Sequence, residues 1–242
     1  MSLANLVSDS DIQDEVDSLG GTSRTLESGV YAAKINVAYI TKSKGEATGI
    51  VLHLTTVDDR EIRQTLWATS GKAKGKKNYY EDKNGNKKYL PGFIHANALA
   101  LLTVGKEIST LETEERVIKL WNKDAGGEIP TKVDMITDLV GKEIYVGLIK
   151  QTVDKTALSD SGEYAPTGET REENEIDKFF RAEDKMTTTE IRAQATEPAF
   201  FDAWSKKWTG VTKDRSTKVA AGSTAGAPKA AAAAKPTTSL FG

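Results

Sequence analysis

The residues between Trp67 and Pro91 combine positive charge with aromatic rings. The segment holds seven lysines and three tyrosines against only two acids. Lysine attracts a phosphate backbone whatever the base sequence, and a tyrosine ring offers a face on which an unpaired base stacks, at about 1–3 kcal/mol per base. The pattern favours a surface that holds single-stranded nucleic acid, although a lysine- and glycine-rich segment is also typical of a solvated loop. The residues are Lys72, Lys74, Lys76, Lys77, Lys83, Lys87 and Lys88 with Tyr79, Tyr80 and Tyr89.

Catalytic and metal-binding chemistry finds little support in the sequence. The chain has no cysteine and two histidines, His53 and His95, each among apolar residues where a packed or surface imidazole is expected. A zinc site needs more Cys or His ligands than this chain has, or acidic ligands grouped close to its histidines. The glycine-rich run 71–77 differs from a phosphate-binding loop, because three residues instead of four separate its glycines and Lys77 stands where Ser or Thr is required. We therefore predict a non-enzyme with no catalytic residue, metal or cofactor.

The 242-residue chain has a formal net charge of −2, but its charges are unevenly distributed. Residues 1–29 carry a net charge of −5, whereas residues 60–92 and residues 205–242 each carry +6. Local fields of this kind steer polyanions whatever the net charge of the whole chain. The basic segments indicate a polyanionic partner, and the acidic N-terminal segment is a candidate competitor for the same surface.

The composition is typical of a soluble protein. Hydrophobic residues make up 38% of the chain, and no stretch approaches the roughly 20 apolar residues of a membrane span. The N-terminus lacks the basic and apolar pattern of a secretion signal, and the absence of cysteine suits a reducing compartment. We predict a cytoplasmic protein with no membrane partner.

Alternating apolar and polar residues predict a mainly β fold with peripheral helices, of the α+β class. The predicted strands are 31–39, 50–54, 62–67, 116–121, 142–153 and 174–181, with helices over 93–104 and 189–208 and a helical turn over 134–140. Three strands, a helix and further strands favour an OB-like Greek-key barrel with a long basic insertion loop. A β-sandwich would give a similar order of elements.

Two details of these elements bear on a binding site. The outward face of the third strand offers Arg63 and Trp67, which lead into the lysine-rich segment. Gly147 stands two residues after Tyr145, and a glycine there leaves space for something flat to lie on the sheet. In the terminal helix, the spacing of Trp204 and Trp208 favours a seam that docks the helix onto its own domain.

The chain divides into three predicted parts. Residues 1–24 form an acidic N-terminal segment, and residues 25–210 form the OB-like nucleic-acid-binding domain that ends in the amphipathic helix. Residues 211–242 are rich in Ala, Lys and Pro, cannot bury enough apolar surface to fold, and are predicted to be a disordered tail. The tail ends in a hydrophobic tip at Leu240 and Phe241.

Five segments carry a resemblance to a known family. They are L-E-S-G-V-Y (26–31), N-Y-Y-E-D-K-N-G-N-K-K-Y-L-P-G-F (78–93), L-V-G-K-E-I-Y-V-G-L-I-K-Q-T-V (139–153), T-R-E-E-N-E-I-D-K-F-F (170–180) and S-L-F-G (239–242). In these the chain resembles bacteriophage single-stranded DNA-binding proteins, in particular those of N4-like short-tailed phages. The resemblance implies an OB-type fold, cooperative coating of single-stranded DNA, and roles in DNA replication and recombination in the cytoplasm of a bacterial host.

The resemblance also implies partners at the C-terminus. Phage replication or recombination proteins, or an RNA polymerase, would be recruited there, with Leu240 and Phe241 as the anchor. The tail departs from the acidic tips of familiar bacterial binding proteins because it holds Lys229 and Lys235. A basic tail is better suited to increase the affinity for DNA or to bind an acidic surface of a partner protein.

The leading hypothesis is sequence-tolerant binding of single-stranded DNA, with lysines on the phosphates and rings on the bases. The alternative is a protein-interaction adaptor, a replication or transcription co-factor that works through the C-terminal helix and tail. Binding to duplex DNA ranks lowest because no recognition helix is evident. The predicted DNA-binding residues are Arg63, Trp67, Lys72, Lys74, Lys76, Lys77, Tyr79, Tyr80, Lys83, Lys87, Lys88, Tyr89, Tyr145 and Lys150.

Overall fold

The computed structural model describes residues 25–122, 124–158 and 164–217. Ten strands lie in this part of the chain: β1 (Gly29–Lys42), β2 (Thr48–Thr56), β3 (Glu61–Trp67), β4 (Tyr79–Glu81), β5 (Lys87–Tyr89), β6 (Glu114–Asn122), β7 (Gly127–Met135), β8 (Glu143–Leu158), β9 (Tyr164–Arg181) and β10 (Thr212–Asp214). The helices are α1 (Pro91–Val104), α2 (Thr188–Arg192) and α3 (Ala199–Trp208). Three 3-10 turns lie at Lys72–Lys74, Ile108–Thr110 and Thr137–Leu139. The predicted mainly β composition with peripheral helices is confirmed.

The first three strands form an antiparallel meander. Ile35 pairs with Leu54, which pairs with Ile62, and all three side chains are buried. Strict alternation therefore turns Arg63 and Trp67 outward, as predicted. A β-bulge between Ile35 and Val37 bends β1, so that its first half pairs with β8 and its second half with β7.

Eight of the strands form one sheet that stays open. β8 pairs with β1 and β9 in antiparallel fashion and with the short β10 in parallel, while the β6–β7 hairpin joins the sheet through β1. In the described part of the chain no backbone ladder joins β3 to β9. One side chain bridges this seam, where the Ile176 N–H donates to Gln64 Oε1 at 2.7 Å. The closed barrel predicted from the sequence is therefore not formed by strand pairing.

Helix α1 packs against the core beside the seam and contacts both β3 and β9. It buries Ala96, Leu99, Ala100 and Leu102 against the inward residues of the sheet. Pro91 in its first turn is pre-set for a helical start, and Gly105 ends the helix in a left-handed conformation, φ 74°. These two residues fix the helix within two residues of the predicted limits.

The predicted helix over residues 189–208 is two helices. α2 begins at a capping box in which Glu190 N–H donates to Thr187 Oγ1, and the Thr187 N–H donates to Glu190 Oε2 at 2.9 Å. Pro198 stands immediately before α3, where its ring cannot continue a preceding helix. The break allows α3 to fold back on the outer face of β8 and β9.

Helix α3 docks through Trp204, which is 4% exposed and packs on Phe180. A side chain at Gly147 would lie 3.1 Å from Trp204 Cζ2. The space beside Gly147 is therefore filled by the chain's own indole, and the interpretation of that glycine as a platform for a flat ligand is wrong. The predicted docking seam of the terminal helix is confirmed for Trp204.

Several boundaries differ from the sequence-based prediction. β8 and β9 are longer than predicted and continue into an exposed hairpin. Thr212–Asp214 pair with β8, so the sheet extends into the predicted disordered tail, because the backbone of β10 finds partners at 150–152. The helical turn predicted over residues 134–140 is confined to Thr137–Leu139. The acidic segment 1–24 and the tip residues Leu240 and Phe241 lie outside the described residues.

Candidate nucleic-acid interface

The lysine-rich segment forms an ordered projection, here called the basic arm (residues 68–90). Its first part is a loop closed at the base, where Ser70 N–H donates to the Lys77 carbonyl at 2.8 Å. Its second part is the β4–β5 hairpin, closed by Leu90 N–H donating to the Asn78 carbonyl at 2.8 Å. At the hairpin turn the Asp82 carboxylate accepts from two backbone N–H groups, and Gly85 adopts φ 80°.

A cleft of about 1210 Å³ lies between the basic arm and the free edge of β3. Its walls also include the β1–β2 turn, the start of α1 and part of β9, so it lies beside the open seam of the sheet. This volume exceeds the usual size of a small-molecule pocket and suits an extended ligand. Six predicted DNA-binding residues line it: Trp67, Lys72, Lys74, Lys77, Tyr79 and Tyr80.

Trp67 is held at the mouth of the cleft by two glycines. A side chain at Gly49, its partner on β2, would come 2.8 Å from Trp67 Cε3. A side chain at Gly92 in α1 would come 2.2 Å from the Trp67 carbonyl oxygen. The residue is nevertheless 43% exposed. Trp67 is therefore fixed in place while part of its surface stays open to a ligand.

The two neighbouring tyrosines of β4 differ in their surroundings. Tyr80 is 48% exposed, whereas the Tyr79 ring has the Lys77 and Lys87 ammonium groups at 5.4 and 5.2 Å from its centroid. These cation–π contacts hold the two lysines near the cleft. Tyr80 is the better stacking surface, and Tyr79 positions positive charge.

Three predicted residues lie away from the cleft lining. Tyr89 packs on Phe93, with ring centroids 4.9 Å apart, and Tyr145 packs edge-on against Phe201 beneath α3. Lys150 forms ion pairs with the carboxylates of Glu27 and Glu172, at 2.9 and 3.1 Å, and these hydrogen bonds raise its pKa. Tyr89 still pairs with Tyr79 across the β4–β5 hairpin, whereas Tyr145 and Lys150 lie on β8, away from the other candidates.

The remaining basic candidates do not line the cleft. Arg63 pairs with Glu61 at 2.8 Å on the outer face of β3, and Lys88 pairs with Asp82 at 2.8 Å. Lys76 pairs with the Glu46 carboxylate. Lys83 and Lys87 lie exposed on the β4–β5 hairpin. Within the described residues Lys74, Lys77 and Lys44, which all line the cleft, form no ion pair.

His95 on α1 lines the cleft and is partly buried. Burial and, after it, the positive charge of Lys178 lower the pKa of its imidazole. The ring stacks edge-on against Phe179 at a centroid distance of 6.4 Å. A neutral imidazole in this position fits the packed side chain expected from the sequence.

Two residues near the surface were missed by sequence reasoning. Glu46, in the β1–β2 turn, lines the cleft and contacts Lys72 of the lining and Lys76 beside it. Spacing along the chain does not predict this contact, because residues 46 and 76 meet only in the fold. Trp121 on β6 is 69% exposed, opposite Glu128. The alternation of Val117, Lys119 and Trp121 along the predicted strand was the available signal for this second exposed indole.

Neither a protein-family model nor a curated protein matches the chain. Across 25–122, 124–158 and 164–217, no group of three or more His, Cys, Asp or Glu residues is arranged to hold a metal ion. No helix in the same ranges has the length and apolar character to cross a membrane.

Proposed function

We propose that the protein binds single-stranded DNA, with little regard to sequence, in the cleft beneath the basic arm. The observation that carries the proposal is that one cleft is lined by two exposed aromatic residues, Trp67 and Tyr80, and by three lysines that form no ion pair within the described residues. Bases stack on the rings because every base has a flat face, and lysines contact phosphates without reading sequence. The lysines are Lys44, Lys74 and Lys77.

The proposed architecture is an OB-type barrel left open between β3 and β9. A bent β1 that pairs with both β2 and β8, and a helix between the third and the later strands, support this assignment. In this proposal the basic arm is an insertion that follows β3 and covers the open seam. Roles in phage replication and recombination, which the sequence resemblance implies, belong to the same proposal.

The adaptor function has less support. Trp204 of α3 is buried against Phe180, and its Nε1–H donates to Asp177 Oδ2 at 2.7 Å, so this indole serves the fold. The proposed partner-binding residues of the tail, Leu240 and Phe241, stay predictions from the sequence.

The proposal is tested by titrating the full chain with oligo-dT and following tryptophan emission. A Trp121→Phe variant removes the most exposed indole, so that quenching reports more closely on Trp67. We expect quenching, and an affinity that falls with salt at a slope of about −0.7 per phosphate contacted. Matched RNA and duplex DNA are compared. Equal affinity for the duplex, or no dependence on salt, would contradict the proposal.

A further inference from the structure

Glu46 places a carboxylate among the lysines of the cleft. It lies in the turn between β1 and β2, in a left-handed conformation with φ 61°. Its side chain contacts the ammonium groups of Lys72, at 3.5 Å, and of Lys76. One anion therefore lies between two cations that belong to the basic arm.

This carboxylate remains ionised at neutral pH. The hydrogen bond and the charge of Lys76 lower the pKa of the Glu46 carboxyl, although partial desolvation opposes them. The side chain is still 44% exposed, so its oxygens can be reached from the cleft. Two ammonium groups that hold one accessible oxyanion can form charge-assisted hydrogen bonds with a backbone phosphate in its place.

We propose that Lys72 and Lys76 form a phosphate subsite at the edge of the cleft, which Glu46 occupies in the free protein and yields to a backbone phosphate when single-stranded DNA binds. This inference rests on the proposed function. Glu46 then acts as an internal competitor, so that an arriving strand must displace it before contacting these two lysines.

Displacement is feasible because the contact is at the surface. Exposed ion pairs contribute only about 0–1 kcal/mol. The arm and the turn are also joined by the backbone, since Lys72 N–H donates to the Gly45 carbonyl at 2.8 Å. Gly71 packs on the same Gly45 oxygen. The lysines therefore stay in place when the Glu46 side chain leaves, and a Glu46→Gln variant should fold normally.

The chain offers a matched control at Glu81. Its side chain also lines the cleft, and within the described residues it forms no ion pair. Glu81→Gln removes the same charge from the same cleft without releasing a lysine. Any effect of overall charge is thus shared by both variants, whereas the release of Lys72 and Lys76 belongs to Glu46→Gln alone.

The experiment compares salt-dependent binding of oligo-dT by the full-length wild type and both variants. For Glu46→Gln we expect affinity to rise roughly three- to tenfold and the salt slope to steepen by about 0.7, because no carboxylate has to be displaced. Glu81→Gln should change affinity less and leave the slope unchanged. In the background of Glu46→Gln, the further change Lys76→Gln should abolish the gain.

The outcomes separate this inference from the proposed function. Equal effects of Glu46→Gln and Glu81→Gln would overturn the subsite while leaving DNA binding intact. Weaker binding by Glu46→Gln, with an unchanged urea unfolding midpoint, would show that Glu46 is a clamp that organises the arm, and would also overturn it. A wild type that binds no single-stranded DNA would refute the proposed function and the subsite together.

Discussion

The six-membered ring of Trp67 lies directly over Gly49 on the neighbouring strand. An added Cβ at Gly49 would lie 2.8 Å from Trp67 Cε3 and 2.9 Å from Cζ3, closer than side chains pack. Both residues are in regular strands and pair across β2 and β3. The position of the stacking surface is thus set by the absence of a side chain at residue 49.

Replacing Gly49 by Ala should displace the Trp67 ring and weaken binding of oligo-dT. The loss should approach that of Trp67→Ala, about 1–3 kcal/mol. The double variant should bind no more weakly than Trp67→Ala alone, because both changes remove one contact. Titration of the three variants measures the coupling. Additive losses would show that Gly49 acts on binding by some route other than the indole.

The tyrosines of the basic arm should differ in their effects on binding. Tyr80→Ala should cost about 1–3 kcal/mol of binding free energy, and Tyr80→Phe should retain most of it, since stacking needs the ring and not the hydroxyl. Tyr89→Ala is the matched control, because Tyr89 packs on Phe93 outside the cleft lining. Fluorescence titration with oligo-dT measures all three. A larger loss for Tyr89→Ala than for Tyr80→Ala would place the DNA on the other side of the hairpin.

Local sequence patterns predicted the individual strands and helices better than the contacts between them. Alternation located the meander and its outward Arg63 and Trp67, since period-two burial is a property of each strand alone. Contacts between distant segments were beyond such patterns. The fold brings Glu46 to Lys76, seats Trp204 against Gly147 and leaves β3 unpaired with β9, and none of these follows from spacing along the chain.

The candidate site shows the same division. Composition identified the lysine- and tyrosine-rich arm, and five of its predicted residues line one cleft together with Trp67 of β3. Sequence reasoning could not separate Tyr80 from Tyr79, because the difference arises from where Lys77 and Lys87 lie around one ring. Nor could it see that Lys150 is held by Glu27, a partner 123 residues away.

Stability should fall as the pH is lowered from 7.5 to 5.5, because of the two histidines. Burial lowers the pKa of both His53 and His95 below the ordinary 6.5. Below pH 6.5 the unfolded chain therefore binds protons that the folded chain does not, which favours unfolding as the pH falls. Carboxylates with lowered pKa values, such as those of Asp82 and Asp184, contribute only at lower pH.

Urea unfolding of the wild type and of His95→Asn at both pH values measures this effect. The variant should lose less stability between pH 7.5 and 5.5 than the wild type, since only one imidazole with a lowered pKa, that of His53, remains in it. Identical pH dependence in the two proteins would show that His95 is protonated equally well in the folded and unfolded states.

The two indoles Trp204 and Trp121 should have opposite importance for stability. Trp204→Ala empties a packed site beneath α3 and leaves the Asp177 carboxylate without its indole donor, which should cost about 3–5 kcal/mol. Trp121→Ala changes an exposed side chain on β6 and should stay within about 0.5 kcal/mol of the wild type. Urea denaturation measures both. If Trp204→Ala unfolded no more easily than Trp121→Ala, α3 would not be fastened to the sheet through its indole, and the helix would become available as the partner-binding surface of an adaptor.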